Sequence, residues 1–218
     1  MSGLRLLAAA PTPGLRQARF GGDDDLDEGG LRAALALSGQ VGGRDDTWVC
    51  GPSRAARRTA VACGLPEQRS QLGGAAGGFG GWDGLTLDSV VVGQVVAELA
   101  DPDYGRWDGL TLDDVAGTDP EGLGAWLTDP QAAPHGGESL AAVRLRVGAW
   151  LDLQAGRDLV VVAHPVLVRA ALVHALGLPD AAVWQLDVAP LSVTRLTHRA
   201  GRWHVHFPAL APGVRAPG

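Results

Sequence analysis

The sequence predicts an α/β fold, a three-layer sandwich with a mostly parallel central sheet, and three observations support this prediction. Short apolar runs alternate along the chain with helical segments, which is the order of β-α-β units. Two of these runs, LRLLAAA and LVVVA, are almost wholly apolar, as expected of parallel strands that are buried on both faces. The last two runs, PLSVTRLTH and RWHVHF, are separated only by RAG, which predicts an antiparallel hairpin at the edge of the sheet.

Each element of the first half is predicted from its own local signals. The first strand begins at Leu4 and stops at the turn sequence PTPG. Helix formers fill residues 31–41, and Asp27 and Glu28 are suited to the start of that helix. TWVCGPS predicts a second strand and a turn, after which Ser53 can cap the helix RAARRTAVACGL.

The second half continues the alternation of strands and helices. The segment ESLAAVRLRVGAWLDL predicts a helix that carries on one face Leu140, Val143, Val147, Trp150 and Leu151. The strand RDLVVVAHP and the helix VLVRAALVHALGLP follow, and Gly177 and Pro179 close that helix. Because ligands of such folds bind outside the carboxyl ends of the strands, the predicted site lies at residues 8–12 and 164–165.

We expect a single domain over residues 1–218, with a local insertion or duplication at about 68–103. The stretch FGGWDGLTLDSV at 79–90 returns as YGRWDGLTLDDV at 104–115, and nine of the twelve positions are identical. One repeat is too few for a solenoid. Trp82 and Trp107, one in each copy, are predicted either to wall an apolar pocket or to pack in the core.

The composition excludes several classes of protein. Apolar residues make up 46% of the chain and charged residues 19%, which is typical of globular domains rather than disordered chains. The net charge is −6 with no clustered basic stripe, so we expect no nucleic-acid partner. Cys50 and Cys63 lack CxxC spacing, no signal peptide or long apolar run is evident, and we expect a cytoplasmic protein with reduced, buried thiols and no membrane contact.

Five motifs carry a resemblance to a known family: LLAAAPTPGLRQARFGG, CGPSRAARRTA, LADPDYGRWDG, PHGGESLAAVRLRV and VVVAHPVLVRAAL. In this order they resemble the histidine phosphatase superfamily, which includes cofactor-dependent phosphoglycerate mutases and α-ribazole phosphatases. The first is similar to V-R-H-G/A-x-T followed by R-F-x-G, the second to S-P-L-x-R-A-x-Q-T-A, and the last to V-V-x-H-G-x-x-I-R. The resemblance spans about residues 4–207 and implies a histidine-phosphatase-like fold.

The resemblance also implies which catalytic groups this chain keeps and which it lacks. In the family a histidine of the first loop attacks phosphorus. Matching the A-P-T step places that position at Ala9 and its arginine partner at Ala8, and the second arginine of the phosphate clamp falls on Ala55. The acid that protonates the leaving group matches Asp101, which is shorter than the usual glutamate, and the second histidine matches His164.

His164 and Asp101 are therefore the candidate catalytic residues, and the candidate ligand-binding residues are Thr12, Arg16, Arg19, Arg54 and His135. Several of them have a structural alternative, and for Thr12 it is a hydroxyl that only makes its own turn. His164 is otherwise a buried histidine bonded to the backbone, and Asp101 a turn aspartate. Arg19 otherwise forms a surface ion pair with the stretch GGDDDLDEGG, whose charges are expected to lie in a solvated loop, and His135 is otherwise a solvated loop residue.

The functional expectation is a histidine-phosphatase-fold protein that has lost the phosphohistidine mechanism. Such a protein binds a small molecule or a protein partner, or performs acid/base chemistry without phosphoryl transfer. The alternative is a weak phosphomonoesterase that acts on a small phosphorylated metabolite, with water as the nucleophile; a third is a degenerating duplicate without chemistry. We expect no cofactor and no metal site, and we keep a homodimer open as an assembly.

Overall fold

The structure, a computed structural model, describes residues 3–42, 45–65 and 94–207. Its six strands are β1 Leu4–Ala8, β2 Thr47–Cys50, β3 Gln94–Val95, β4 Leu159–Ala163, β5 Val193–Arg199 and β6 Arg202–His206. They form one sheet in the order β3-β2-β4-β1-β5-β6, in which β3, β2, β4 and β1 run parallel and β5 and β6 are antiparallel. The predicted parallel sheet with an antiparallel edge is confirmed.

The helices are α1 Pro13–Arg16, α2 Glu28–Ala36, α3 Arg54–Ala62, α4 Leu112–Thr118, α5 Pro120–Thr128, α6 Leu140–Leu153 and α7 Pro165–Leu176. Two separate apolar cores show that they lie in layers. The core under α6 and α7 takes alternate side chains of the strands, such as Leu6 and Val161. The core under α2 and α3 takes the intervening ones, such as Leu7 and Val162. Because alternate side chains of a strand point to opposite faces, the sheet is covered on both sides.

The register between β1 and β4 aligns the ends of the two central strands. Ala8 lies opposite Ala163, and the backbone N–H of Ala9 donates to the Ala163 carbonyl at 2.8 Å. Both strands run in the same direction, so the residues that follow them, Ala9 and His164, emerge side by side at the carboxyl edge of the sheet. The fold thus brings together the two strand ends that the sequence predicted as a site.

The acidic stretch GGDDDLDEGG supplies carboxylates that bind the starts of two helices. Asp27 caps α2 as predicted, because its carboxylate accepts from the Gly30 N–H at 2.6 Å. At α3 the prediction was half wrong: Ser53 occupies the cap position, but its hydroxyl makes no capping hydrogen bond. The carboxylate of Asp23 instead accepts from the first N–H of the helix, at Arg54, at 2.6 Å, where the positive end of the helix favours a negative charge.

Helix α2 is shorter than the predicted span of 31–41, because it ends at Ala36 and the chain turns through Gly39, whose φ is +74°. The other predicted elements lie close to their expected bounds. The five apolar residues assigned to one face of α6 are all buried. Gly177 ends α7 in the left-handed conformation, and the hairpin between β5 and β6 turns through Ala200 and Gly201.

Of the duplicated stretch, only the second copy lies in the described residues. There Trp107 is buried in the core under α6 and packs against Phe20, so the core role holds for this tryptophan. Trp82, the first copy and most of the predicted insertion lie outside the described residues. No helix in the described ranges is long and apolar enough to cross a lipid bilayer.

A buried threonine ties the first loop to α3 and gives a test of this packing. The Thr59 hydroxyl accepts from the Ala10 N–H at 2.9 Å and donates to the Ala55 carbonyl at 2.7 Å. Thr59→Val keeps the shape but leaves the Ala10 N–H buried without a partner, so the free energy of unfolding should fall by about 1–3 kcal/mol. Denaturant unfolding measures this. Thr59→Ser, which keeps the hydroxyl, should lose distinctly less, and an equal loss would contradict the assigned role.

Candidate active site

A pocket of about 80 Å³ opens at the carboxyl edge of the sheet. It is lined by residues of the first loop, the acidic stretch, the start of α3, the segment before Tyr104 and the start of α7. They are Thr12, Leu15, Ala18, Arg19, Gly21, Gly22, Asp23, Asp24, Ser53, Ala55, Asp101, Pro102, Tyr104 and His164. The predicted residues Thr12, Arg19, Asp101 and His164 therefore share one pocket, together with the alanine at position 55.

His164 is the N-cap residue of α7, and the helix backbone orients its side chain. Its Nδ1 accepts from the Val166 N–H at 3.2 Å, so the neutral ring carries its proton on Nε2. Burial lowers the pKa of His164 and Arg169 lowers it further, while the charge of Asp101 acts in the opposite direction. The imidazole is therefore held neutral at physiological pH, with an N–H rather than a lone pair left for a ligand.

Asp101 follows a short 3-10 turn, Ala97–Leu99, and its segment is fixed by one arginine. Arg146 of α6 binds both carboxylate oxygens of Glu138, at 2.9 and 2.7 Å. The remaining Nη1 donates to the carbonyls of Glu98 and Ala100 at 2.6 and 3.1 Å. This bidentate arrangement holds the backbone immediately before Asp101 and so fixes where its carboxylate enters the pocket.

Burial raises the pKa of Asp101 above its usual value, and the nearby charge of Asp23 raises it further. The charge of His164, a hydrogen bond with Ser53 and the charge of Arg146 each lower the pKa of Asp101. One carboxylate oxygen of Asp101 is buried without a hydrogen-bond partner in the described part of the chain. Asp101 follows the end of the 3-10 turn Ala97–Leu99, as the helix-end alternative expects, and it also lines the pocket.

The acidic stretch after Phe20 forms specific ion pairs, which corrects the expectation of a solvated loop. Arg16 pairs with Asp27, Arg58 lies 3.2 Å from Asp25, and Arg54 lies 3.9 Å from Asp23. The predicted ligand residues Arg16 and Arg54 thus face the acidic stretch, and neither is among the residues that line the pocket. Sequence reasoning did not include Asp23 or Asp24 in the site, although the run DDD directly after the R-F element was a visible signal.

Two predicted ligand residues that line the pocket also have structural partners. Thr12 caps α1, where its hydroxyl accepts from the Leu15 N–H at 3.1 Å. Arg19 donates to the Gln17 side chain and lies 3.9 Å from Asp24. The surface ion pair expected as the alternative for Arg19 is therefore present, and the guanidinium also lines the pocket.

His135 is buried, at 2% exposure, which corrects the expectation of a solvated loop residue, and it does not line the pocket. Its Nδ1 accepts from the Gly137 N–H at 3.0 Å, its ring packs edge-on against Tyr104 and Trp107, and burial lowers its pKa. The carbonyl of His135 presses on Gly105, whose φ is +46° and where a Cβ would lie 2.3 Å from that oxygen. His135 thus supports Tyr104 from behind, and Tyr104 forms part of the pocket wall.

The positions to which the family resemblance assigns the nucleophile and the two clamp arginines hold methyl groups. Ala8 and Ala9 are 0% and 1% exposed, and Ala55 forms part of the pocket wall. The two cysteines offer no substitute nucleophile, because both are free and buried, and burial raises the pKa of each thiol to about 11. Within the described ranges no three His, Cys, Asp or Glu side chains are grouped so as to hold a metal ion.

Comparison with known proteins relates this geometry to a family. A model described as the histidine phosphatase superfamily (branch 1) matches residues 86–209. No curated protein shows significant similarity to the chain. Among solved structures, the chain is similar to a mycobacterial glucosyl-3-phosphoglycerate phosphatase in complex with VO3, with 28% identity and a TM-score of 0.73, covering 94% of this chain and 98% of that one.

Two further structures are similar over nearly their full length. Mycobacterial hydrolase 1 is 26% identical, with a TM-score of 0.73, and the match covers 94% of this chain and 97% of that one. The α-ribazole phosphatase from Shigella flexneri is 20% identical, with a TM-score of 0.71, and the match covers 98% of this chain and 100% of that one. Because the Shigella flexneri protein is only 20% identical, its similarity supports the fold of this chain and nothing about its function.

The coupling between His164 and Asp101 can be measured by NMR titration of the imidazole. We expect the pKa of His164 to lie below the ordinary value of 6.5 and to fall further in Asp101→Asn, because that change removes a negative charge that favours the imidazolium. Asp158→Asn changes the same charge at the amino end of β4 and should leave His164 unaffected. An unchanged or raised pKa in Asp101→Asn would contradict the described pocket.

Proposed function

Because the chain belongs to the histidine phosphatase superfamily, we propose that it is a member without the phosphohistidine mechanism. Its pocket then serves to bind a small molecule or a protein partner, or to perform acid/base chemistry that transfers no phosphoryl group. The proposal rests on one observation above all: the β1–β4 register sets Ala9 beside His164. Ala9 is the position to which the family resemblance assigns the nucleophilic imidazole.

The absence of the two clamp arginines weakens the binding of any dianion to the pocket. Charge-assisted hydrogen bonds contribute about 1.5–3 kcal/mol each, so alanine at positions 8 and 55 removes roughly 3–6 kcal/mol of phosphate binding. That loss turns micromolar affinity into roughly millimolar affinity or weaker. The remaining pocket guanidinium, Arg19, is shared with Gln17 and Asp24. A phosphomonoester would also face the carboxylates of Asp23, Asp24 and Asp101.

Loss of the nucleophile affects the chemical step itself. Removal of one member of a catalytic unit typically costs on the order of a millionfold in turnover. His164 is poorly placed to replace it, because its Nδ1 already accepts a backbone N–H and its Nε2 carries the proton. The pair of His164 and Asp101 keeps a donor and an acceptor in one pocket, which suits ligand binding or proton transfer.

The second candidate is a weak phosphomonoesterase that uses water as the nucleophile. It is favoured by the presence of His164, Asp101 and Arg19 in one pocket. The raised pKa of Asp101 suits a proton donor to a leaving group. It is also favoured by the similar mycobacterial phosphatase in complex with VO3. Arg54, expected to contribute to this activity, faces Asp23 instead.

Hydrolysis of an aryl phosphate separates the two candidates. We expect purified wild-type protein to hydrolyse p-nitrophenyl phosphate no faster than His164→Ala, because nothing in the pocket attacks phosphorus. Wild-type turnover that disappears in His164→Ala would contradict the proposal and support the weak phosphomonoesterase.

Restoring the missing groups tests the assignment of the positions. The triple variant Ala8→Arg, Ala9→His and Ala55→Arg should gain both vanadate binding and aryl-phosphate turnover. The matched control with Ala9→Gln should gain vanadate binding alone. Because Ala55 lines the pocket whereas Ala8 and Ala9 do not, the single variant Ala55→Arg is titrated with vanadate by thermal shift as well. If no restored variant binds vanadate better than wild type, the assigned positions are wrong.

A further inference from the structure

The hairpin of β5 and β6 carries basic side chains on one face. Alternate residues of a strand point to the same face of a sheet, so Arg202, His204 and His206 of β6 share a face. In the register between the two strands, Arg199 lies opposite Arg202 and Arg195 lies opposite His206. Guanidinium and imidazole groups therefore lie together, and neither strand of the hairpin contains an acidic residue.

Strand alternation hides this basic face in the linear sequence. Trp203 and Val205 separate the basic residues of β6, so the sequence shows no run of positive charge there. The basic side chains of β6 are all exposed. His206 Nε2 and the Thr197 hydroxyl are bonded at 2.7 Å, whereas the side chains of Arg202 and His204 have no hydrogen bond or ion pair in the described ranges.

The same strand forms an open edge of the sheet. The strand order places β6 outermost, with β5 as its neighbour. The hairpin turns through residues 200–201, and both have positive φ, as a type I′ turn requires. In such a hairpin the closing pair, Arg199 and Arg202, is hydrogen-bonded, and hydrogen-bonded pairs then alternate along the ladder. The backbone N–H and C=O groups of Trp203 and Val205 therefore point away from β5.

These outward backbone groups have no partner in the part of the chain that the structure describes. An edge strand with unpaired N–H and C=O groups accepts another extended segment, and native sheets often protect such an edge with a proline or a bulge. The five residues of β6 contain no proline, and their pairing with β5 contains no bulge. The side chains of β6 then determine which segment pairs with it.

The two faces of β6 favour different side chains in an added antiparallel strand. Its residues opposite Arg202, His204 and His206 would form the non-hydrogen-bonded pairs, in which side chains lie closest. Carboxylates at these alternate positions would face basic groups, and opposite charges in such pairs are favourable. The other face carries Trp203 and Val205, which are half-buried, and favours apolar residues.

Charge argues against two other occupants of this edge. A second copy paired through its own β6 would bring like charges into opposed positions, which destabilises a pair of strands. A nucleic acid or an anionic membrane would extend its negative charge over a molecule whose net charge is −6. A short acidic segment would contact the basic face alone.

We propose that β6 binds an extended acidic segment of a partner protein as an additional antiparallel strand. Main-chain hydrogen bonds with Trp203 and Val205 supply affinity, and carboxylates at alternate positions, facing Arg202, His204 and His206, supply selectivity. This site lies at the edge of the sheet and uses none of the residues that line the pocket. It therefore stands or falls independently of the proposed function.

A fluorescein-labelled peptide, TEVEVET, tests the inference, with TQVQVQT as its neutral isostere. Fluorescence anisotropy should show saturable binding of the acidic peptide that is about tenfold tighter than that of the glutamine peptide, because three opposite-charge pairs are removed together. Arg202→Gln should weaken binding of the acidic peptide about two- to fivefold, the loss of one such pair. Arg32→Gln removes an equal charge from the exposed surface of α2 and should bind as wild type does.

Backbone amide hydrogen exchange locates the pairing. The acidic peptide should slow exchange at Trp203 and Val205, whose N–H groups point outward, and leave Val161 in the central strand β4 unchanged. Equal affinity for the two peptides, or equal affinity in Arg202→Gln and Arg32→Gln, overturns the acidic partner. Binding without slower exchange at Trp203 and Val205 overturns strand addition. Slow exchange at these amides in a dimer without peptide, or tighter binding of a single-stranded oligonucleotide, assigns the edge to another occupant and overturns the proposal.

Discussion

The parallel pairing of β1 with β4 is the constraint on which the site depends. Ala8 lies opposite Ala163, so the residues that follow, Ala9 and His164, leave the sheet as neighbours. The remaining pocket walls attach to this edge: Thr59 bonds the first loop to α3, and Arg146 holds the segment before Asp101. A side chain at position 9 is therefore placed by main-chain geometry that does not depend on which side chain it is. The chain presents a methyl group there.

The charge of the pocket also depends on which residues occupy these positions. Alanine occupies positions 8 and 55, so neither position supplies a guanidinium group to offset the carboxylates around the pocket. Three arginines near the pocket form ion pairs with aspartates of the acidic stretch. They are Arg16, Arg54 and Arg58. Those pairs are largely exposed and contribute little stability each. They do fix the acidic stretch against α2 and α3, and so leave the pocket with Arg19 as its guanidinium.

Local patterns predicted most of the fold, while the site needed tertiary information. The continuous apolar run at β4 and the periodic face of α6 report burial directly, so both elements lie where expected. The role of Ser53 was missed because Asp23, which is distant in sequence, accepts from the first N–H of α3. The end of α2 was placed too late because the chain already turns at Gly39. Likewise His135 lies in the loop sequence AAPHGG, which does not indicate burial, and the packing of Tyr104 and Trp107 around the ring accounts for it.

The proposed function requires that no group in this pocket accepts a phosphoryl group. Intact-protein mass spectrometry under neutral conditions, after incubation with excess aryl phosphate, measures this directly, because a phosphorylated histidine survives neutral pH. We expect an unchanged mass for the wild-type chain. A mass increase of one phosphoryl group that maps to a pocket residue, and that is absent after boiling in acid, would contradict it.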